Sequence, residues 1–139
     1  YVGSTLSTNE DPAQACRNGA ADVHIADPAG TVMFADAAMP QDGYIVEYSF
    51  IEPPLPVSAD HPRGDPSWFS SPSMHFRHYG RINVVWCDGH ISSEKWEWAP
   101  DENVYGARNS RYAVGWFGPR NNLHFDSVSK DDYPAPSTK

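Results

Sequence analysis

The stretch MHFRHYGRINVVWCDGHISSEKW, Met74–Trp96, decides how the rest of the chain is read. Ile82–Cys87 is a six-residue run of mostly β-branched and apolar residues, held between polar, turn-forming ends. Arg77, His78, Tyr79, Gly80 and Arg81 stand before it, and Asp88, Gly89 and His90 after it. A second alternating run follows from Ile91 to Trp98. Asp-Gly between two such runs predicts a hairpin, because glycine tolerates the positive φ of a tight two-residue turn.

Working outward, the chain of 139 residues has the length of one domain able to bury a core. Apolar residues make up 40% and aromatic residues 13%, which argues for a folded chain. Thirteen prolines and ten glycines, scattered without period, argue against long helices and for a loop-rich, mainly β fold of the α+β family. The formal net charge is −8, from 18 acids and 10 bases, and no basic patch is visible, so nucleic acid is excluded as a partner. No apolar run approaches the roughly 18–20 residues of a membrane span, and no signal peptide is present. The first residue is Tyr1, so a processed product or a part of a longer polypeptide is expected.

Upstream of the hairpin, Tyr1–Gly19 reads as an irregular lead-in with a helical turn at Asp11–Arg17, and Val23–Ile25 as a short extended piece. Thr31–Ala35 is a compact apolar run ending at Asp36 and reads as a buried strand. Pro40–Gly43 is turn chemistry, and Tyr44–Ile51 a second strand. Residues 52–73 hold six of the thirteen prolines and predict a long surface loop with Trp68 and Phe69 anchoring its middle. Downstream, Ala99–Arg111 is polar, Tyr112–Phe117 is a last short strand, and Leu123 and Phe125 tuck an edge onto the core. Residues 1–126 thus form one domain, and 127–139 a polar tail.

Several residues carry possible chemistry. Nine residues separate His78 from Asp88, so along one extended strand the two stand roughly 30 Å apart. A His78–Asp88 dyad therefore requires a chain reversal near Gly80; otherwise His78 packs at the strand entrance and Asp88-Gly89 is simply the turn. Asp36 and Asp88 each end an apolar run. Were those strands parallel neighbours, both carboxylates would share one edge with His90, an oxygen-rich set suited to Ca²⁺ or, with a histidine ligand, to a transition metal. The competing expectation is that each aspartate caps its own turn.

Cys16 and Cys87 admit a disulfide or two free thiols, and the spacing leaves both open; no C-x-x-C exists for a cysteine zinc site. No H-E-x-x-H, G-x-S-x-G or phosphate-binding glycine loop occurs, which argues against an enzyme. Trp96 and Trp98 alternate around Glu97 and share one strand face. With Trp68 they are candidate interface aromatics, in the core, at a subunit contact, or stacked on sugar.

Arg77-His78, Gly80, Asn83-Val84-Val85 and Asp88-Gly89-His90-Ile91 resemble the C-terminal signature R-H-x-x-x-x-N-x-x-F-x-D-G-H-V of the prepilin-type H-x9-DG proteins. These are bacterial type IV pilin-like and type II secretion pseudopilin-like proteins. Trp86 stands at the family's aromatic position and Ile91 replaces its usual valine. Ala26–Asp36 is similar to the family's strand I-x-x-P-S-x-x-x-L-F-A-D, and Val114–Pro119 with Leu123 to endings seen in it, so the matches span much of 27–125. The family's basic leader and apolar N-terminal helix have no counterpart here. The resemblance implies the globular part of a structural subunit, an antiparallel sheet of a pilus-like or pseudopilus-like filament at the cell surface or outside the cell. Its partners would be other pilin-like subunits, as a homo-oligomer or filament, with a separate chain supplying the helix. In related pseudopilins Ca²⁺ ties down a C-terminal loop, and the motif positions here are Asp36, His78 and Asp88. The second function class is an extracellular carbohydrate- or protein-binding module using exposed aromatics.

Overall fold

A computed structural model describes residues 25–56, 61 and 64–126. The expected helical turn at Asp11–Arg17, the start of the extended piece at Val23, and the tail from Ser127 lie outside the described residues, as does Cys16. The described chain is mainly β and every strand pair is antiparallel. Its strands are β1 (Val32–Ala35), β2 (Ala38–Gln41), β3 (Tyr44–Glu47), β4 (Met74–His75), β5 (Arg81–Trp86), β6 (Ile91–Lys95) and β7 (Val114–Gly115). They form a three-stranded sheet in the order β1-β5-β6, a β2-β3 hairpin and a short β4-β7 pair. Among the described residues the only helix is a 3-10 turn at Asn109–Tyr112.

The central strand is β5, and its sequence explains why. Ile82, Val84 and Trp86 alternate inward and are buried, while Arg81 and Asn83 point to water. That period of two is the signature of a half-buried strand. Its partner β6 is polar on the same face, where Ser92 lies opposite Val84 and Glu94 opposite Ile82. The expected β5–β6 hairpin is present with a longer loop. Trp86 pairs with His90 through the His90 carbonyl, the Gly89 N–H donates to the Trp86 carbonyl at 2.9 Å, and Gly89 has φ +88°. Three residues, Cys87-Asp88-Gly89, therefore make the connection instead of two, a turn closed by a left-handed glycine.

The core gathers Val32, Met74, Phe76, Ile82, Val84, Trp86, Trp98, Trp116, Phe117 and Phe125. Trp116 is fully buried and its indole N–H donates to the Glu52 carbonyl at 2.8 Å. Trp98 lies against it with ring centroids 4.7 Å apart. Phe125 joins the core as anticipated, and the neighbouring His124 carbonyl accepts the Val32 N–H at 2.9 Å.

Three expectations are corrected. Pro40 lies within β2, and the turn is Asp42-Gly43, since Gln41 pairs directly with Tyr44. The second strand stops at Glu47 rather than Ile51; among the described residues it pairs with β2 alone, and all four of its residues are exposed. The proline-rich segment is not simply a surface loop. Pro54, Leu55, Pro72 and Ser73 are buried, and Asn122 pairs with both backbone groups of Leu55, accepting its N–H and donating to its carbonyl, each at 2.8 Å. A buried asparagine here does what a neighbouring strand would do, satisfying a donor and an acceptor that burial would otherwise leave at a cost.

Gly115 allows a close approach of two segments. A Cβ there would collide with the Trp96 indole nitrogen and stand 2.6 Å from the Trp98 carbonyl. Gly115→Ala is expected to lower unfolding free energy by about 3 kcal/mol, the upper end for overpacking. Gly89→Ala, where the added carbon meets nothing and only the left-handed φ is strained, is expected to cost about 1 kcal/mol. Urea unfolding of the two variants checks the order, and a larger loss at Gly89 would contradict this packing.

Candidate functional site

The antiparallel pairing of β1 with β5 decides where the motif residues go. Ala35 pairs with Val84 and Val32 with Trp86, so Asp36, just past β1, lies toward the entrance of β5. Asp88 lies past its exit, where its N–H donates to the Pro28 carbonyl. The strand between them accounts for roughly 17 Å at ~3.3 Å per residue. The shared edge that a parallel pairing would have created does not exist.

At the entrance, Tyr79 (φ +55°) and Gly80 (φ +78°) are both left-handed, and His78 and Arg81 exchange backbone hydrogen bonds at 3.0 and 3.1 Å. Two successive positive φ values are the signature of a tight type I′ reversal. This is the reversal that a His78–Asp88 dyad required, yet it delivers His78 to Asp36. His78 Nε2 lies 3.0 Å from Asp36 Oδ2, and Arg77 Nη1 lies 3.9 Å from Asp36 Oδ1. The backbone of Asp36 also accepts the His75 N–H. These side chains remain 28–58% exposed, so the ion pairing contributes on the order of 0.2–1 kcal/mol and chiefly fixes geometry.

At the exit, Asp88 Oδ1 accepts the backbone N–H of His90 at 3.0 Å and its ring Nδ1–H at 2.6 Å. This local cap holds the imidazole flat on Trp86, with centroids 5.5 Å apart and planes within 9°. Asp36, His78, Asp88 and His90 therefore form two separate pairs rather than one metal site. Among the described residues no three His, Cys, Asp or Glu side chains converge. Among the described residues Cys87 has no disulfide partner, and burial pushes its thiol pKa up.

The tryptophans also separate. Trp98 is buried and Trp96 half-buried, and their indole N–H groups donate inward to the carbonyls of Gly118 and Val114 at 3.1 and 3.4 Å. Trp98 packs against Trp116 and Phe69, and the edge of the Trp96 indole lies against Gly115. Trp68, by contrast, has 55% of its surface exposed. Phe69 is the anchor of that loop, packed edge-on to Trp98 at 5.2 Å.

Trp68 borders an open cleft of about 300 Å³ that it shares with Tyr48, Glu52, Ser70, Ser71 and Tyr105. The Tyr48 hydroxyl donates to Glu52 Oε1 at 2.8 Å, and burial, then Glu52, push its pKa up to about 12. Sequence reasoning found only Trp68 of this group, because the other residues converge from segments without shared spacing. A second open feature is β3, where Tyr44, Ile45, Val46 and Glu47 are all exposed. No known protein family, no curated protein and no solved structure matches the chain. Among the described residues no helix is long and apolar enough to cross a membrane.

Hydrogen bonds to its ionised form, first from the His90 backbone and then from the His90 ring, hold the Asp88 carboxyl below the usual carboxylate range. The group is depressed in the folded state, so its contribution to stability is present above the unfolded pKa of about 3.9. It is lost as pH falls through the lower folded value. A carbon-13 titration of Asp88 is expected to show a midpoint below about 3.9. Asp88→Asn is expected to remove this part of the acid destabilisation, and an unchanged acid-unfolding profile would contradict it.

Proposed function

We propose that this chain is the globular part of a bacterial pilin-like or pseudopilin-like subunit, acting by packing into a filament and displaying its loops at the cell surface or outside the cell. The observation that carries the reading is β3. It sits in a two-stranded sheet in which, among the described residues, no strand pairs with its outer edge, and it exposes Tyr44, Ile45 and Val46, with Phe50 exposed just beyond. Exposed aromatic and β-branched residues on an open edge are the composition that a neighbouring subunit covers. The resemblance to the H-x9-DG proteins supports the same reading from the sequence.

The motif residues fit a structural role. His78 fastens the entrance of β5 to the end of β1, and Asp88-Gly89 closes the hairpin at its exit. Each is engaged by a contact within the subunit, which is in keeping with action through surface packing. In this reading the partners are other copies or related subunits, with the filament's helical core supplied by a helix-bearing segment or chain.

Immunogold electron microscopy of native material is expected to find the chain along filaments. Tyr44→Ser combined with Phe50→Ser is expected to abolish incorporation while leaving the isolated chain folded, since these rings are 59% and 44% exposed. A wild-type chain found solely as free particles, or incorporation of the double variant at the wild-type level, would remove the proposal.

A further inference from the structure

We infer that the cleft bordered by Trp68, Tyr105, Tyr48 and Glu52 is a binding site for a neutral oligosaccharide. This site is independent of the filament reading, because β3 and the cleft use different residues.

The first argument is chemical. Trp68 and Tyr105 are 55% and 53% exposed, so each presents ring surface to solvent at the cleft. The same cleft is lined by a carboxylate, Glu52, and two hydroxyls, Ser70 and Ser71. A pyranose has an apolar face of C–H groups and a rim of hydroxyls that both donate and accept. The rings suit the face and the oxygen groups suit the rim. The Glu52 carboxylate and the net charge of −8 disfavour an anionic sugar. A quaternary ammonium would need rings closing around it, whereas this cleft stands open on one side.

The second argument is that the frame is already set before any ligand arrives. Glu52 is pinned through both backbone groups: its N–H donates to Ser73 Oγ at 2.9 Å and its carbonyl accepts the Trp116 indole. The Tyr48 hydroxyl fixes the carboxylate itself. Asp65 accepts from the Ser67 N–H and hydroxyl at 2.8 and 2.6 Å, which shapes the turn that carries Trp68. Asn103 accepts the Tyr105 N–H at 3.0 Å while donating to the Pro40 carbonyl at 2.7 Å, which ties that loop to β2. Loop backbone held this way loses little conformational freedom on binding, one of the costs that weaken a sugar site.

The test is a nitrogen-15 NMR titration of the full chain with cellohexaose, chitohexaose, mannohexaose and maltohexaose, with oligogalacturonate and choline as controls. At least one neutral hexaose is expected to shift the Trp68 indole N–H resonance and the Tyr105 amide, and oligogalacturonate to shift neither. Trp68→Ala and Tyr105→Ala, both at exposed positions, are each expected to weaken binding about tenfold or more. Glu52→Gln is expected to weaken it by a smaller factor, because the amide retains one acceptor. The inference is overturned if no neutral hexaose moves the Trp68 resonance. Unchanged affinity in both alanine variants, or choline binding in place of sugar, would overturn it equally.

Discussion

The fold depends on finding partners for indole N–H groups that burial has taken from water. A tryptophan brings a large apolar body and one obligatory donor. In this chain the donors of Trp96, Trp98 and Trp116 go to the carbonyls of Val114, Gly118 and Glu52, and that of Trp86 to the Ser92 hydroxyl. Three of these acceptors are backbone carbonyls on other segments. Each bond therefore fastens one part of the core to another segment of the chain. Burying one such ring is worth on the order of 4 kcal/mol, several times what the exposed Asp36–His78 pair can add.

Buried asparagines do the complementary work. Asn122 stands in for a strand beside Leu55, and Asn103 closes its own turn while reaching the Pro40 carbonyl. Asn109 donates to the Pro100 carbonyl at 2.9 Å. With strands this short, much of the backbone has no ladder to join, and side-chain amides carrying a donor and an acceptor fill the deficit. A mainly β chain rich in proline holds its loops in this way without additional sheet.

Such a division explains what the sequence could disclose. The β5–β6 hairpin was legible because alternation and Asp-Gly are local signals, and both act within a dozen residues. The length of its loop was not, since it depends on the φ that Gly89 adopts. Asp36 and His78 were individually visible as motif positions, but their pairing follows from the antiparallel register of β1 on β5, which no spacing encodes. The alternation that put Trp96 and Trp98 on one strand face stops short of them: β6 ends at Lys95, and the Glu97 and Trp98 N–H groups both donate to the Trp116 carbonyl, at 3.1 and 3.3 Å. The cleft was the least legible feature. Glu52, Trp68 and Tyr105 reach it from three loops, and the asparagine and aspartate contacts that hold them look, in sequence, like ordinary turn chemistry.

The Trp98–Trp116 contact has an optical consequence. Two indoles with centroids 4.7 Å apart and planes tilted by 38° are close enough for their electronic transitions to mix. A tilted, fixed pair of this kind behaves as a single chiral chromophore. The ultraviolet circular dichroism of this chain therefore carries an exciton contribution from the centre of its core, superimposed on the weak signal of its short strands.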